Sequence, residues 1–350
     1  MSRLKAPADL PELVRTAFAK ALSDGELHYF PTQVTILHAN SVPVRTSPFS
    51  LRVIYTSMTD PIQFQLRFSP ALANKPKGPP RDPHKKPFDP FENPPPALKI
   101  TDLGPAHFLV LNKFAVVPEH FILATAAFKQ QTDVLEADDL ACTLACIDAY
   151  EGQQEGGGGG GLFAFFNGGE HSGASQPHRH IQLLPVARMR DGLEEGGGSA
   201  WDVLADNLRT HRPPFATFSE EIEPGITGAE LHEMYLRLYG RACRAVARHS
   251  GGSSGIDEVP ATGEARISYN MAMTRRTLVV SPRLAEGADI AAADGRVLGS
   301  LALNGTVLAG TALVKSELEW EALRSDEGGL VKVLRGIGLP ADEVERESAL

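Results

Sequence analysis

Cysteine is scarce in this chain: its 350 residues include only Cys142, Cys146 and Cys243. Three cysteines cannot all pair, and no Cys-x-x-Cys occurs, so neither a disulfide framework nor a zinc ribbon is expected. Cys142 and Cys146 stand four apart in an alanine-rich stretch, the spacing of one helix face, and are expected to be small core residues. No apolar run approaches the roughly 20 residues that a membrane helix needs. The N-terminal stretch carries Asp9 and Glu12 among Leu10, Leu13, Val14, Ala17, Phe18 and Leu22, which reads as an amphipathic helix and not as a secretory or transit peptide. Positive charge is also in deficit, with 34 Lys and Arg against 43 Asp and Glu, a formal charge of -9. A surface of that sign does not coat itself with nucleic acid or anionic membrane, so a polyanion must enter a local pocket. Small-molecule partners and a reducing, cytoplasmic or nuclear setting are therefore expected, and the sequon Asn304-Gly305-Thr306 is expected to be a turn.

Phosphate-loop and dinucleotide fingerprints are missing as well. The six glycines Gly156–Gly161 lack a Gly-Lys-Ser/Thr ending and read as a flexible linker, as do Gly196–Gly198 and the Gly/Ser stretch near 250. Residues 74–97 are proline-rich, basic and then acidic, and read as a long surface segment, a lid or tether.

β-Branched and aromatic runs predict strands at Gln33–His38, Phe49–Thr56, Gln63–Phe68, His107–Leu111, Ala115–Val117, Phe121–Ala124, Leu162–Phe166, His178–Leu184, Ile267–Met273, Leu278–Ser281 and Gly310–Val314. Helices are expected from about Glu136 through Tyr150, where Glu136–Asp139 place negative charge at the N-terminus, from about Glu230 to His249, and in an acidic terminal segment. Strand groups with separate helices point to an α+β fold with a mainly antiparallel sheet and flanking helices. Two parts are expected, 1–195 and 200–350, packed as one unit.

The run His178-Arg179-His180-Ile181-Gln182 stands out. In a strand, alternate residues share a face, so His178, His180 and Gln182 project together while Arg179, Ile181 and Leu183 face away. Three polar groups on one face of an apolar run cost stability unless something uses them. Spacing alone leaves three readings open: a structural hydrogen-bond network, a zinc site or nucleophilic catalysis. The preceding Gly173-Ala174-Ser175-Gln176 is small and rich in backbone N–H donors, and Pro177 stiffens the entry to the strand. Such a loop suits phosphate oxygens and raises catalysis among the three.

Asn167 together with Gly173-Ala174-Ser175-Gln176-Pro177-His178-Arg179-His180-Ile181-Gln182 resembles the signature of the ATP adenylyltransferase, or diadenosine tetraphosphate phosphorylase, family, a branch of the histidine-triad superfamily similar in motif to galactose-1-phosphate uridylyltransferases. Leu111-Asn112-Lys113-Phe114 with Val117-Pro118-Glu119-His120 resembles a second family block, and Ile267-Ser268-Tyr269-Asn270 with Thr274-Arg275-Arg276 a third. The resemblance implies a histidine-triad-like α+β fold with His180 as nucleophile, His178 orienting it and Gln182 assisting. It further implies contacts to nucleotide or phosphate from Lys75, Asn112, Lys113, Asn167, Gly173, Ala174, Ser175, Gln176 and Gln182. Ser268, Asn270, Met273 and Arg276 are the C-terminal candidates.

Gln182 stands where superfamily hydrolases carry a third histidine. An amide donates to a phosphoryl oxygen but supplies no mobile proton, which suits transfer to an anionic acceptor such as inorganic phosphate better than activation of water. No metal ligand set is expected in the protein. A divalent cation, Mg²⁺ by expectation, would ride on the polyphosphate, since no carboxylate cage is visible. Rival readings are a hexose-1-phosphate nucleotidylyltransferase, weakened by the missing Cys-x-x-Cys, and a non-catalytic nucleotide-binding module of the same fold.

Overall fold

A computed structural model describes residues 4–39, 61–74, 88–151, 160–193, 201–251, 259–292 and 294–344. The chain enters through helix α1 (Leu10–Ser23) and strands β1 (His28–Tyr29), β2 (Gln33–Ala39) and β3 (Ile62–Phe68). Next come β4 (Lys99–Leu103), β5 (His107–Leu111), β6 (Phe114–Ala115), β7 (Phe121–Thr125) and helix α2 (Ala137–Glu151). Strands β8 (Leu162–Gly168) and β9 (His180–Pro185) precede the short helix α3 (Val186–Met189), β10 (Phe218–Glu221) and the long helix α4 (Gly228–His249). The C-terminal part adds β11 (Tyr269–Met273), β12 (Thr277–Pro282), β13 (Gly287–Ala291), β14 (Val297–Ala302), β15 (Thr311–Val314) and helices α5 (Glu317–Ser325) and α6 (Glu327–Gly336).

Eight strands form one sheet in the order β10-β12-β11-β8-β9-β7-β5-β4, every adjacent pair antiparallel. The α+β, mainly antiparallel architecture expected from the sequence is the one observed. α2 and α4 cover one face of the sheet, where Phe166, Ile181, Leu183, Met271 and Met273 meet Cys142, Cys146 and Tyr235 in a single apolar cluster. The two cysteines four apart are thus core residues of α2, as their spacing implies. The other face carries Phe163, Phe165, Leu184 and Ala272, which pack with the three-stranded sheet β15-β3-β2 and with α5 and α6. α4 starts where its sequence provides a capping box: Thr227 accepts from the Glu230 N–H and Glu230 reaches back to the Thr227 N–H.

Several expectations need correction. The acidic terminal segment is two helices, because Asp326 leaves helical geometry and its side chain caps α6 at the Gly328 N–H. β4, β10, β13 and β14 were not foreseen; β4 and β10 are edge strands, and β13 and β14 form a separate two-stranded hairpin with little apolar patterning. The proline-rich segment is no free tether over its last ten residues: Phe91 is buried in the core, as is Leu98 just beyond it. The expected strand Phe49–Thr56 and the glycines 156–159 and 196–198 lie outside the described residues.

Candidate functional site

The histidine strand begins later than its sequence suggests, and the reason lies at the centre of the site. β8 and β9 pair from Leu162 opposite Pro185 to Phe165 opposite Gln182. Two residues further, where Asn167 would face His180, a side-chain amide stands between the strands instead. Gln131 Oε1 accepts from the His180 N–H (2.8 Å), and Gln131 Nε2 donates to the carbonyls of Asn167 (2.9 Å) and His180 (3.2 Å). The wedge satisfies backbone groups that the ladder would otherwise pair. His178 therefore lies before the strand, where an isolated bridge pairs it with Gln130.

His180 is buried. Its Nδ1 donates to the His178 carbonyl (2.8 Å), which fixes the tautomer and leaves the lone pair on Nε2. Burial pushes its pKa down to about 4, against a partly offsetting pull from the His178 carbonyl, so the ring is neutral throughout the physiological range.

His178 is held at both ring nitrogens. Nε2 donates to the Thr125 carbonyl (2.8 Å), and Nδ1 meets Asp89 Oδ2 at 2.7 Å. Burial would raise the Asp89 carboxyl, but hydrogen bonds from His178 and from the Phe91 backbone outweigh it and hold the group below the usual carboxylate range. Phe91 covers both imidazoles, with ring centroids 5.6 Å from His178 and 5.1 Å from His180. Asp89 and Phe91 come from the end of the proline-rich segment, which has no periodicity from which their role could be read.

A third imidazole joins the same face. His120 of β7 lies on the face shared by Gln182 and His180, because Ile122 pairs with Gln182 and Ala124 with His180. Asn112 Nδ2 donates to His120 Nδ1 (3.1 Å), so Nε2 carries the proton. Gln182 adjoins that Nε2, which has no partner at ordinary hydrogen-bond geometry among the described residues. Burial pushes the His120 pKa down to about 4 as well, partly offset by Gln182. Glu119, with φ of 61°, is the only described non-glycine residue in the left-handed region; it precedes His120 and is pinned by Arg188.

Behind this face, Arg179 points toward α2. Its Nη1 meets Glu136 Oε1 at 2.8 Å and Asp139 Oδ2 at 3.0 Å, and Asp139 Oδ1 in turn meets His107 Nε2 at 2.8 Å. Arg179 and Asp139 are each 2% exposed. The acidic start of α2 thus serves a buried ion cluster behind the histidine strand in addition to the helix N-terminus.

The Gly173–Gln176 loop leads into His178 and His180, with Ala174 and Ser175 exposed. Gly173 has φ of +80°, and a Cβ there would come within 2.8 Å of the Asn304 Cβ, so the tight approach to 303–305 requires glycine. The expected turn at Asn304–Thr306 is thereby part of the site: Gly305 N–H donates to Asn167 Oδ1 (2.8 Å). Asn270 Nδ2 donates to the same Asn167 oxygen and to the Ser172 carbonyl, both at 2.9 Å. Ser268 Oγ accepts from the His171 N–H (3.1 Å) and so holds the turn that leads into the loop.

Other candidates fall elsewhere. The Asn112 amide is used internally, its Oδ1 accepting from the Phe114 N–H, and Lys113 is exposed on the same turn. Met273 is buried in the core against the helices. Arg276 lies at the β11–β12 hairpin, at the end of the sheet away from His180, where it pairs with Asp206 (3.0 Å). Lys75 lies outside the described residues. Among the described residues, no group of three or more His, Cys, Asp or Glu side chains is placed to hold a metal ion, and no helix is long and apolar enough to cross a membrane.

The two low imidazole pKa values have a direct consequence. For both groups the folded pKa lies below the unfolded value of about 6.5, so the stability they confer is complete above that pH and is lost as pH falls toward 4. Urea unfolding at pH 5 should give about 2 kcal/mol less stability per imidazole than at pH 7. Equal stability at the two pH values would show that the rings are not buried in neutral form.

Comparison with known proteins identifies relatives along nearly the whole chain. The profile of the Ap4A phosphorylase N-terminal domain matches residues 1–194, and that of the ATP adenylyltransferase C-terminal domain matches residues 211–340. Diadenosine 5',5'''-P1,P4-tetraphosphate phosphorylase 2 of Saccharomyces cerevisiae is 30% identical over 294 residues, 79% of this chain and 84% of that protein. Protein APA1 of the same yeast is 25% identical over 292 residues, 80% of this chain and 81% of its own length. Among solved structures, yeast Ap4A phosphorylase Apa2 in complex with Ap4A superposes with a TM-score of 0.67 at 25% identity, covering 95% of this chain and 98% of that one. The two profiles meet on one continuous sheet built around the histidine strand: the chain belongs to the Ap4A phosphorylase family.

Proposed function

We propose that this chain phosphorolyses diadenosine tetraphosphate, giving ADP and ATP through an adenylyl group carried on His180. The observation that carries the reading is the state of His180: neutral, with Nδ1 committed to the His178 carbonyl and Nε2 free to attack. Relatives named for the same reaction support it.

Nε2 forms a bond to an α-phosphorus, and the bond from that phosphorus to its bridging oxygen breaks. ATP leaves as an anion and needs no proton. The ring becomes positively charged, and the Nδ1–H bond to the His178 carbonyl strengthens as it does so. An oxygen of inorganic phosphate then attacks the same phosphorus, the N–P bond breaks, and ADP departs with the neutral imidazole restored. In this reading Gln182 and the N–H groups of Gly173–Gln176 donate to phosphoryl oxygens, with Lys75 and Lys113 as candidate cations from the flanking segments. A divalent cation, Mg²⁺ foremost, enters as part of the polyphosphate substrate. The compartment fitting these substrates is the cytoplasm or nucleus, with neither nucleic acid nor membrane as partner.

Product analysis tests the reading. Diadenosine tetraphosphate should give ADP plus ATP only when inorganic phosphate is present. AMP plus ATP without phosphate would make the protein a hydrolase and overturn it. Phosphate dependence with a hexose 1-phosphate as the better acceptor would favour the sugar-nucleotide alternative.

A further inference from the structure

Arg283 is a buried guanidinium, 2% exposed, with no carboxylate in direct ion-pair contact among the described residues; Glu286 acts on it only at longer range. Its Nη2 donates to the carbonyls of Ala285 (3.0 Å), Glu286 (2.9 Å) and Leu303 (2.9 Å), and its Nη1 donates to Asn270 Oδ1. Nε has no hydrogen-bond partner among the described residues. A cation is costly to bury on these terms, and its position next to Asn270 suggests what it is for.

An asparagine amide has an accepting and a donating end that fit a site equally well by shape, so partners decide the orientation. Arg283 can only donate, so the Asn270 oxygen must face it. The Ser172 carbonyl can only accept, so the Asn270 NH₂ must face the other way. That NH₂ then meets Asn167, whose oxygen also receives the Gly305 N–H. Each amide is thus set by an obligate partner, and the only end left to Asn167 is its NH₂. Asn167 extends β8 at the level of His180 on β9, on the same face of the sheet.

We infer that Arg283 is a positioning residue: through Asn270, and together with the Gly305 N–H, it holds the Asn167 amide so that its NH₂, and not its carbonyl, is presented beside His180 to a phosphoryl oxygen of the substrate. The inference rests on the nucleotidyl-transfer reading of the site. It adds a donor whose direction is set two residues away, by a side chain that never touches the ligand.

The substitution Asn270→Asp tests it. A carboxylate there gains an ion pair with Arg283, which offsets the lost bond to the Ser172 carbonyl, so folding should survive. It has no proton for Asn167, whose oxygen then faces a carboxylate with only the Gly305 N–H to hold it, so the amide is no longer fixed with its NH₂ toward the phosphate. The expected result is a thermal midpoint near that of the parent and a kcat for phosphorolysis lower by about a hundredfold, the scale of one lost preorganised donor. Arg283→Lys, which can also only donate, should retain activity within about tenfold, whereas Arg283→Met should fall well below it. An Asn270→Asp protein that folds and turns over within threefold of the parent would overturn the inference. If Asn270→Asp does not fold, equal kcat for folded Arg283→Lys and Arg283→Met proteins would do the same. Should the parent itself show no phosphorolysis, the functional reading fails alone, and calorimetric binding of AMP to the same variants still reads the donor. Parent-like AMP affinity in Asn270→Asp would then overturn the relay.

Discussion

Replacing His180 with alanine is expected to lower turnover of diadenosine tetraphosphate by about four orders of magnitude or more, since the reaction loses its covalent route. The comparison that gives this weight is Gln182→Ala. Gln182 is half-buried on the same face and contributes a donor, not a bond, so its loss should cost about 10²–10³ in kcat. Intact mass after mixing with substrate in the absence of phosphate should show one added adenylyl group on the parent and none on His180→Ala. Because His180 is already neutral well below pH 7, single-turnover adenylylation should stay level between pH 8 and 5.5. A half-maximal rate near pH 6.5, or an active parent that carries no adduct, would remove His180 from the role.

The largest stability effect is expected on the other side of the same strand. Arg179→Met removes the cation shared by Asp139 and Glu136, with Asp139 fully buried and Glu136 partly exposed. Breaking a buried pair from one side strands the remaining charge, at a cost of about 3–5 kcal/mol. His107 offsets part of this, since its Nε2 still faces Asp139. Urea unfolding of Arg179→Met at pH 7 measures the loss, and adding Asp139→Asn should recover a good part of it, because the stranded charge is then gone. A loss under about 1 kcal/mol would mean that solvent reaches the cluster.

The two residues show what a sequence discloses and what it withholds. His180 stood out because polar groups at alternate positions in an apolar run break the usual pattern of a buried strand, but that pattern left three readings open, and the family resemblance chose among them. Arg179 was legible only as the residue facing the other way; its partners lie 40 and 43 positions upstream, and acidic residues at a helix start have a local explanation that hides the distant one. Gln131, the wedge between β8 and β9, is one amide in an irregular stretch, and its role exists only once both strands are in place. Asp89 and Phe91 sit in a segment whose prolines suggest an exposed loop. Asn270 was singled out by resemblance, but Arg283, which sets its direction, belongs to no pattern of periodicity or spacing. The long strands, α2 and α4 were readable from apolar patterning and end signals; the edge strands β4 and β10, with less apolar surface to bury, were not.

The strand order also says something about cutting the molecule. β8 lies between β9, on its own side of the chain, and β11, from the C-terminal part. A fragment ending near residue 195 would leave β8 as an open edge over its whole length, with Phe163, Phe165 and Phe166 beside it. Unprotected edges of that composition recruit further strands, so the fragment should precipitate or stack instead of behaving as a half-enzyme. Supplied together, the two fragments have a matched pair of edges to zip, and recovery of activity by mixing them would measure how strongly that seam assembles without a covalent link.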